Sequence, residues 1–330
     1  GLPASQFLLY FASLTGFTQW TKGLLDQFGE LRKMSLDLNR IRKFLEWPEP
    51  FNLQKGEPIG KDLSKSYEIR FENVGFVYPE SNESTLSEIN LTVRAGEKLA
   101  VVGLNGAGKT TLVKLACGFL DPTEGRVLLN GTDIRTYNRE SYYRLFSAVF
   151  QQFSVLEASV EENICQKPEE FITERDREQI VSCLEKADLM KKVEEIGGLS
   201  AKIGREVYDD GVELSGGQKQ RMMLARALYK DGAIIVLDEP TAALDPIAEH
   251  QIYMKYGEMT HGRTSIFISH RLASTRFCDR VLFMKDGKIA EEGTHESLMK
   301  LGGGYAELFE VQSRYYQEDH PEFVKGGEDE

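Results

Sequence analysis

The most constraining feature of this sequence is a glycine-rich turn between an apolar run and a helical pattern. Residues 103–110 read Gly-Leu-Asn-Gly-Ala-Gly-Lys-Thr and follow the apolar run Leu99 to Val102. This order fits GxxxxGK[ST], in which bare backbone amides, a helix start and a lysine bind phosphate. The predicted ATP-binding residues of this phosphate loop are Gly103, Leu104, Asn105, Gly106, Ala107, Gly108, Lys109, Thr110 and Thr111.

A second apolar run ends in two carboxylates. Residues 234–239 read Ile-Ile-Val-Leu-Asp-Glu, so a buried strand is expected to deliver Asp238 and Glu239 to its carboxyl end. Open α/β sheets bind their ligands at that end. We expect Asp238 to hold Mg²⁺ through water, with the Thr110 hydroxyl as a further ligand, and Glu239 to act as general base on the attacking water. Two solvated acids at the start of a loop are the alternative.

A third motif, residues 214–218, precedes another helical pattern. It consists of Leu214, Ser215, Gly216, Gly217 and Gln218. Ser215 is expected to be the helix N-cap, and the glycines leave backbone amides uncovered. The string resembles the signature of ABC ATPases, and its place between the two phosphate motifs matches as well. The resemblance covers residues 67 to about 312.

The resemblance implies roles for single residues. Tyr78 would stack on adenine, and Gln151, or its neighbour Gln152, would reach Mg²⁺. His270 would contact the γ-phosphate, and Asp245 would contact a partner protomer. In this family two domains stack head to tail, so the signature would act in trans on the partner's ATP. The implied catalytic residues are Glu239, His270, Lys109 and Gln151, and the implied metal site is Thr110, Gln151 and Asp238.

One segment departs from the family pattern. Exporters often carry a Thr-Glu-Val-Gly-Glu-like segment before the signature, whereas residues 201–211 read Ala-Lys-Ile-Gly-Arg-Glu-Val-Tyr-Asp-Asp-Gly here. Communication with a membrane domain is therefore expected to differ in this chain.

The front of the chain has a different character. It carries no charged side chain before Lys22, and apolar residues then recur at spacings of three, four or seven from Leu24 to Leu45. We expect a helix from Ser5 to Glu46, with its basic half on the cytoplasmic side of a membrane. The resemblance implies that residues 1–47 are the last transmembrane helix of an exporter that fuses both domains, and its cytoplasmic extension. An interfacial amphipathic helix is the alternative.

The remaining boundaries follow from composition. Residues 48–66 are predicted to be a linker, 67–316 the ATPase domain with a mostly helical part at about 154–230, and 317–330 a disordered acidic tail. The expected fold is α/β: a P-loop NTPase with a RecA-like core, an antiparallel β subdomain and a helical signature subdomain. The four cysteines form no CxxC pair and are expected to be buried, reduced thiols.

The resemblance implies the ATP-hydrolysing motor of an ABC membrane exporter that uses ATP and Mg²⁺. Its expected partners are a second ABC ATPase domain, in a homodimer or heterodimer, membrane lipid, and a transmembrane domain that is mostly missing from this chain. The alternative is a soluble ABC-type ATPase that acts on nucleic acid or the ribosome. A net charge of -12 disfavours a nucleic-acid partner. Peptide, lipid and drug remain open as cargo, with peptide export favoured.

Overall fold

The computed structural model describes residues 3–46, 53, 55–63, 65–151, 154–239, 255–257, 259–269, 275 and 277–319, with only the backbone for 314–319. The chain divides into two compact units, residues 1–51 and 52–330.

The first unit contains helix α1 (Ala4–Leu45), close to the helix expected from the sequence. None of its residues is buried, so its apolar side chains are exposed. Four of its side-chain hydroxyl groups donate hydrogen bonds to backbone carbonyl oxygens three or four residues earlier in the same helix. The donors are Ser13, Thr15, Thr18 and Thr21.

Nowhere in the described ranges does a helix combine the length and the sustained apolar character that a bilayer crossing requires. The assignment of residues 1–47 to a transmembrane helix and its cytoplasmic extension stays a prediction.

The second unit is built on two sheets. Its strands are β1 (Ile69–Val77), β2 (Ser84–Val93), β3 (Lys98–Gly103), β4 (Glu124–Leu129), β5 (Thr132–Asp133), β6 (Phe146–Val149), β7 (Ile234–Asp238), β8 (Thr264–Ile268), β9 (Arg280–Lys285) and β10 (Lys288–Gly293). A six-stranded sheet has the order β10-β9-β3-β8-β7-β6, and a four-stranded antiparallel sheet has the order β2-β1-β4-β5. In the larger sheet β3, β6, β7, β8 and β9 run parallel, and β10 is antiparallel to β9.

Among its described residues, this unit contains the helices α2 (Lys109–Ala116), α3 (Arg139–Tyr143), α4 (Val160–Cys165), α5 (Glu174–Lys186), α6 (Met190–Glu195), α7 (Gly216–Lys230), α8 (His295–Leu301) and α9 (Gly304–Asp319). Short 3₁₀ helices lie at Ile134–Thr136 and Glu169–Phe171. Helices α4 to α7 occupy the part that the sequence predicts to be mostly helical. The expected α/β P-loop fold, with its antiparallel sheet and helical part, is confirmed.

Strand burial explains the sheet types. Every residue of β7 is buried, as expected of a parallel strand covered on both faces, whereas β2 alternates between buried and exposed positions. Leu86 of β2, Val101 of β3 and Leu112 of α2 share one hydrophobic core. This core fixes α2, the helix that follows the phosphate loop, to both sheets.

The register of β1 shifts around Asn73, at φ 47°. Two details add to the sequence expectations. In the expected linker, Glu57 bonds through its backbone to Thr136 and Asn138, so that segment lies on the domain. Helix α9 continues to Asp319, into the predicted disordered tail, while residues 320–330 lie outside the described part.

Three of the four cysteines are buried, as the sequence predicts. Cys117, Cys165 and Cys183 are buried, Cys278 is half-buried, and all four are free thiols.

A buried ion pair connects the two sheets. Arg280 of β9 donates through Nε and Nη2 to the two carboxylate oxygens of Glu97, at 2.7 and 2.8 Å. Its guanidinium also donates to the carbonyl oxygen of Thr92 in β2 and to Glu292 in β10. Both side chains are largely buried, at 11% and 6% exposure. A charge removed from such a pair leaves the other charge uncompensated.

We expect Arg280→Met to lower the free energy of unfolding by about 3 kcal/mol, because Glu97 would remain buried without its partner. Arg94→Met is the matched control: Arg94 lies 4.0 Å from the same carboxylate, but its side chain is 72% exposed. The control should change stability by less than about 0.5 kcal/mol. Urea unfolding measures both, and equal losses in the two variants would contradict this assignment.

Candidate nucleotide-binding site

The phosphate loop requires glycine for two physical reasons. Gly103, Gly106 and Gly108 have φ values of +149°, +81° and +94°, a region that other residues rarely adopt. A Cβ at Gly103 would lie 2.2 Å from the carbonyl oxygen of Met284, and one at Gly108 would lie 2.5 Å from Leu86. The loop is therefore held against β9 and β2 by contacts that exclude any side chain.

Lys109 begins α2 and lies folded over the loop. Its Nζ donates to the carbonyl oxygens of Gly103 and Leu104, both at 3.0 Å, and the residue is buried. Burial lowers the pKa of Lys109, while the nearby carboxylates Glu239 and Asp238 raise it. The first turn of α2 has no side-chain cap, so its amides remain available to an anion.

Strand β7 places its terminal carboxylate against the start of α2. Thr110 Oγ1 donates to Asp238 Oδ2 at 3.1 Å across 128 positions of sequence. Asp238 is 1% exposed, and its Oδ1 is buried without a hydrogen-bond partner among the described residues. Burial raises the pKa of Asp238, whereas the bond from Thr110 lowers it. A hydroxyl and an unsatisfied carboxylate oxygen are hard oxygen donors of the kind that Mg²⁺ prefers, so these residues fit the metal.

A cleft of about 420 Å³ lies at the phosphate loop, and Lys109 and Thr110 line it. Gln151 and Glu239 line it together with residues 105–111 of the phosphate loop and α2, so the structure brings both predicted residues to the loop. Glu239 adopts φ 51°, and its amide donates to the carbonyl oxygen of Ile268 at 3.0 Å. This bond fixes the residue after β7 to the neighbouring strand β8.

Two residues at the edge of the cleft complete its description. Thr85 of β2 lines it, although no sequence motif indicated this residue. Tyr78 does not line the cleft, but its hydroxyl lies 3.2 Å from Oγ1 of Thr111, which lines the cleft. The Tyr78 ring packs edge-on against Phe76, with centroids 4.8 Å apart.

The signature forms a capped helix start. Ser215 Oγ accepts from the amide of Gln218 at 3.3 Å, and the Gln218 side chain accepts from the amide of Ser215 at 2.9 Å. Ser215 and Gly216 are exposed, whereas Leu214 is buried. The signature is not among the residues that line the cleft. Its glycine-rich helix tip therefore faces solvent in this chain.

The segment before the signature folds back on itself. A bridge joins Ile203 to Val212, and Glu157 accepts from the amide of Val207 at 2.6 Å. This is the segment in which the sequence departs from the exporter pattern. Three predicted residues, His270, Asp245 and the alternative Gln152, lie outside the described residues.

Residues 86–242 match the family model described as ABC transporter, and they contain the phosphate loop, the signature and both carboxylates. The domain that contains these motifs belongs to the ABC transporter family. Nucleotide binding is the common property of such domains, and the cleft described above agrees with it.

The relatives of this ABC domain include transport proteins. The subtilin transport ATP-binding protein SpaT of Bacillus subtilis is 32% identical over 92% of this chain and 49% of its own length. An ATP-dependent lipid A-core flippase of Methylobacillus flagellatus is 39% identical over 74% of this chain and 41% of its own. A solved structure of a bacterial Atm1-family ABC exporter with ATP bound matches with a TM-score of 0.76 and 28% identity, over 86% of this chain and 48% of that one. The chain thus spans about half the length of the relatives that it matches.

We expect Gly108→Ala to weaken ATP binding at least about tenfold, because the added Cβ would push the loop away from Leu86. Gly131→Ala is the matched control, since Gly131 also has a positive φ, of +85°, but faces open space in the turn between β4 and β5. Both variants should lose about 1 kcal/mol of stability from backbone strain. Calorimetric titration with ATP measures the affinity of each variant. Equal affinities would show that the contact with Leu86 does not determine the conformation of the phosphate loop.

Proposed function

We propose that this chain is the ATP-binding and ATP-hydrolysing motor of an ABC exporter. The observation that carries the proposal is the convergence of Lys109, Thr110, Gln151 and Glu239 at one cleft, with Asp238 accepting a hydrogen bond from Thr110. These residues come from separate parts of the sequence, and each supplies a group that phosphoryl transfer requires.

The phosphate loop would hold the triphosphate of ATP. Amides of residues 105–111 and the open start of α2 would bind the phosphate oxygens. Lys109 would exchange its two bonds to loop carbonyls for bonds to phosphate oxygens, and its positive charge would be better satisfied there. Tyr78 would stack on adenine, with its hydroxyl positioned by Thr111.

Thr110, Asp238 and Gln151 would hold Mg²⁺, Asp238 through a water molecule. Bound Mg²⁺ would supply positive charge next to the β- and γ-phosphate oxygens. The buried, unsatisfied Oδ1 of Asp238 supports this assignment, because a water in the metal's shell would give it the donor that it lacks.

Glu239 would act as the general base. Its carboxylate would accept a proton from water as the water oxygen attacks the γ-phosphorus and the bond to the β-phosphate oxygen breaks. The hydrogen bond from the backbone amide of Glu239 to the carbonyl oxygen of Ile268 would keep the side chain at the cleft during this step. His270, outside the described residues, is proposed to contact the γ-phosphate.

A second ABC ATPase domain would complete the site. The exposed tip of α7, with Ser215 and Gly217, would close on the γ-phosphate held by the partner, where its bare amides would stabilise the developing charge. Asp245 is proposed to contact the partner as well. ATP binding would then hold the two domains together, and hydrolysis would release them, in a homodimer or a heterodimer.

We infer that the motor acts at the cytoplasmic face of a membrane as part of a longer transporter. The chain covers about half of its relatives, and α1 exposes many large apolar side chains that suit a contact with a membrane domain or lipid. The named relatives move subtilin or lipid A-core, and we propose a peptide as the cargo here, by likeness to the first. They also disfavour the alternative of a soluble ATPase acting on nucleic acid.

Glu239→Gln is expected to bind ATP with unchanged affinity but to lower turnover at least about 100-fold, because an amide cannot accept the proton from water. With MgATP this variant should accumulate as a stable dimer, visible by light scattering. Glu213→Gln, which changes an exposed carboxylate beside the signature, is the control and should turn over normally. Normal turnover by Glu239→Gln would remove Glu239 from the mechanism.

A further inference from the structure

The chain segments before and after Gln151 are both hydrogen-bonded to the same turn of α7. On the side before Gln151, Ser147 of β6 donates through its hydroxyl to the carbonyl oxygen of Ala227, at 2.9 Å, and the bond is buried. On the side after it, Arg226 donates to the carbonyl oxygen of Ser154 at 3.4 Å. Arg226 and Ala227 are adjacent, so this one turn of α7 forms the base of the loop that carries Gln151.

Asn163 strengthens the second attachment. Arg226 Nε donates to its carbonyl oxygen at 2.8 Å, and Nη2 donates to its side-chain Oδ1 at 3.2 Å. The Asn163 side chain is completely buried and is bonded to both backbone groups of Leu156, at 2.9 and 3.0 Å. Arg226 therefore holds the segment from Ser154 to Leu156 both directly and through Asn163.

Within the described part of the chain, the three oxygen atoms that accept from Arg226 are all neutral. Burial lowers the pKa of its guanidinium. A charge that is partly removed from water without a carboxylate partner is costly. Arginine nevertheless offers a rigid, planar set of donors that one helix position can direct at two separate chain segments.

The other end of α7 is the signature. Ser215 caps the helix eleven positions before Arg226, and a helix of that length spans about 16 Å without a flexible joint. A displacement of the Gln151 loop would therefore move the helix tip with it. Under the proposed function, the loop senses the ATP of its own protomer, while the tip contacts the ATP of the partner.

We propose that Arg226 is a positioning residue that couples the Gln151 loop of one ATP site to the signature of the other. It touches neither nucleotide nor metal. It fixes the spatial relation between Gln151 and Ser215, so that both reach their places only when both sites are filled. This inference rests on the proposed function, because it requires the signature to act in trans.

The test is a double-mutant cycle in the full chain, with Glu239→Gln as the background and detergent present because α1 exposes apolar side chains. The quantity measured is the protein concentration at which half of the chains are dimeric in MgATP. We expect Arg226→Gln to raise this concentration about tenfold, because it uncouples the loop from α7. Gln151→Ala should raise it by a similar factor, because it uncouples the same loop from the proposed metal site. The variant with both changes should be no worse than the worse single variant, since each breaks the same linkage.

Three comparisons separate coupling from general destabilisation. Arg221→Gln removes another arginine of α7, one bonded to Asp188 instead of the Gln151 loop, and should change dimerisation less than about twofold. Arg226→Lys keeps the charge but not the planar donors, and should recover only part of the loss. ATP affinity without Mg²⁺, measured on dilute monomer, should be unchanged in every variant because the phosphate loop is intact.

The outcomes are distinct. A double variant whose effect equals the product of the single effects would overturn the coupling, as would equal losses in Arg221→Gln and Arg226→Gln. If Arg226→Gln melts at a much lower temperature than the parent chain, Arg226→Lys replaces it in the double-mutant cycle. The criterion is the same: the double variant should be no worse than the worse single variant. If the Glu239→Gln chain itself does not dimerise in MgATP, the proposed function fails, and this inference fails with it.

Discussion

The bond between Thr110 and Asp238 is the contact on which the site depends. It joins the first turn of α2 to the end of β7, and it exists only because the six-stranded sheet places β3 and β7 on either side of β8. The carboxyl ends of these parallel strands lie at one edge, so the phosphate loop and the acidic pair meet there. Burying Asp238 is costly, and its Oδ1 has no hydrogen-bond partner among the described residues. Under the proposed function, metal-bound water would donate to this oxygen.

The same contact relates the fold to the proposed mechanism. The core that contains Leu86, Val101 and Leu112 fixes α2, and glycine contacts fix the loop in front of it. Under the proposed function, a site held in this way would change little when phosphate binds, which favours electrostatic stabilisation without reorganisation. The element that moves would then lie elsewhere. Helix α7, with its exposed tip and its attachments to β6 and residues 154–163, is the part of the domain suited to that motion.

Sequence analysis identified what is encoded in contiguous residues. The phosphate loop, the acidic end of β7 and the cap at Ser215 are local patterns with a local physical cause, and all three occur in the structure. Thr85 was missed because it reaches the cleft only through the packing of β2 against the loop. The contact of the predicted linker with the domain was not predicted, because it uses the backbone of Glu57, which no side-chain pattern reveals. Arg226 was missed because its partners are distant in sequence and neutral.

The most direct test of the central claim is a cross-link between two different chains, one with Asn105→Cys in the phosphate loop and the other with Ser215→Cys in the signature. In the Glu239→Gln background, oxidation of the mixture should give a disulfide-linked dimer when MgATP is present. The dimer should be absent without ATP, or when the loop chain also carries Lys109→Ala. Chains that bind MgATP and still give no ATP-dependent cross-link would contradict a site shared between two protomers.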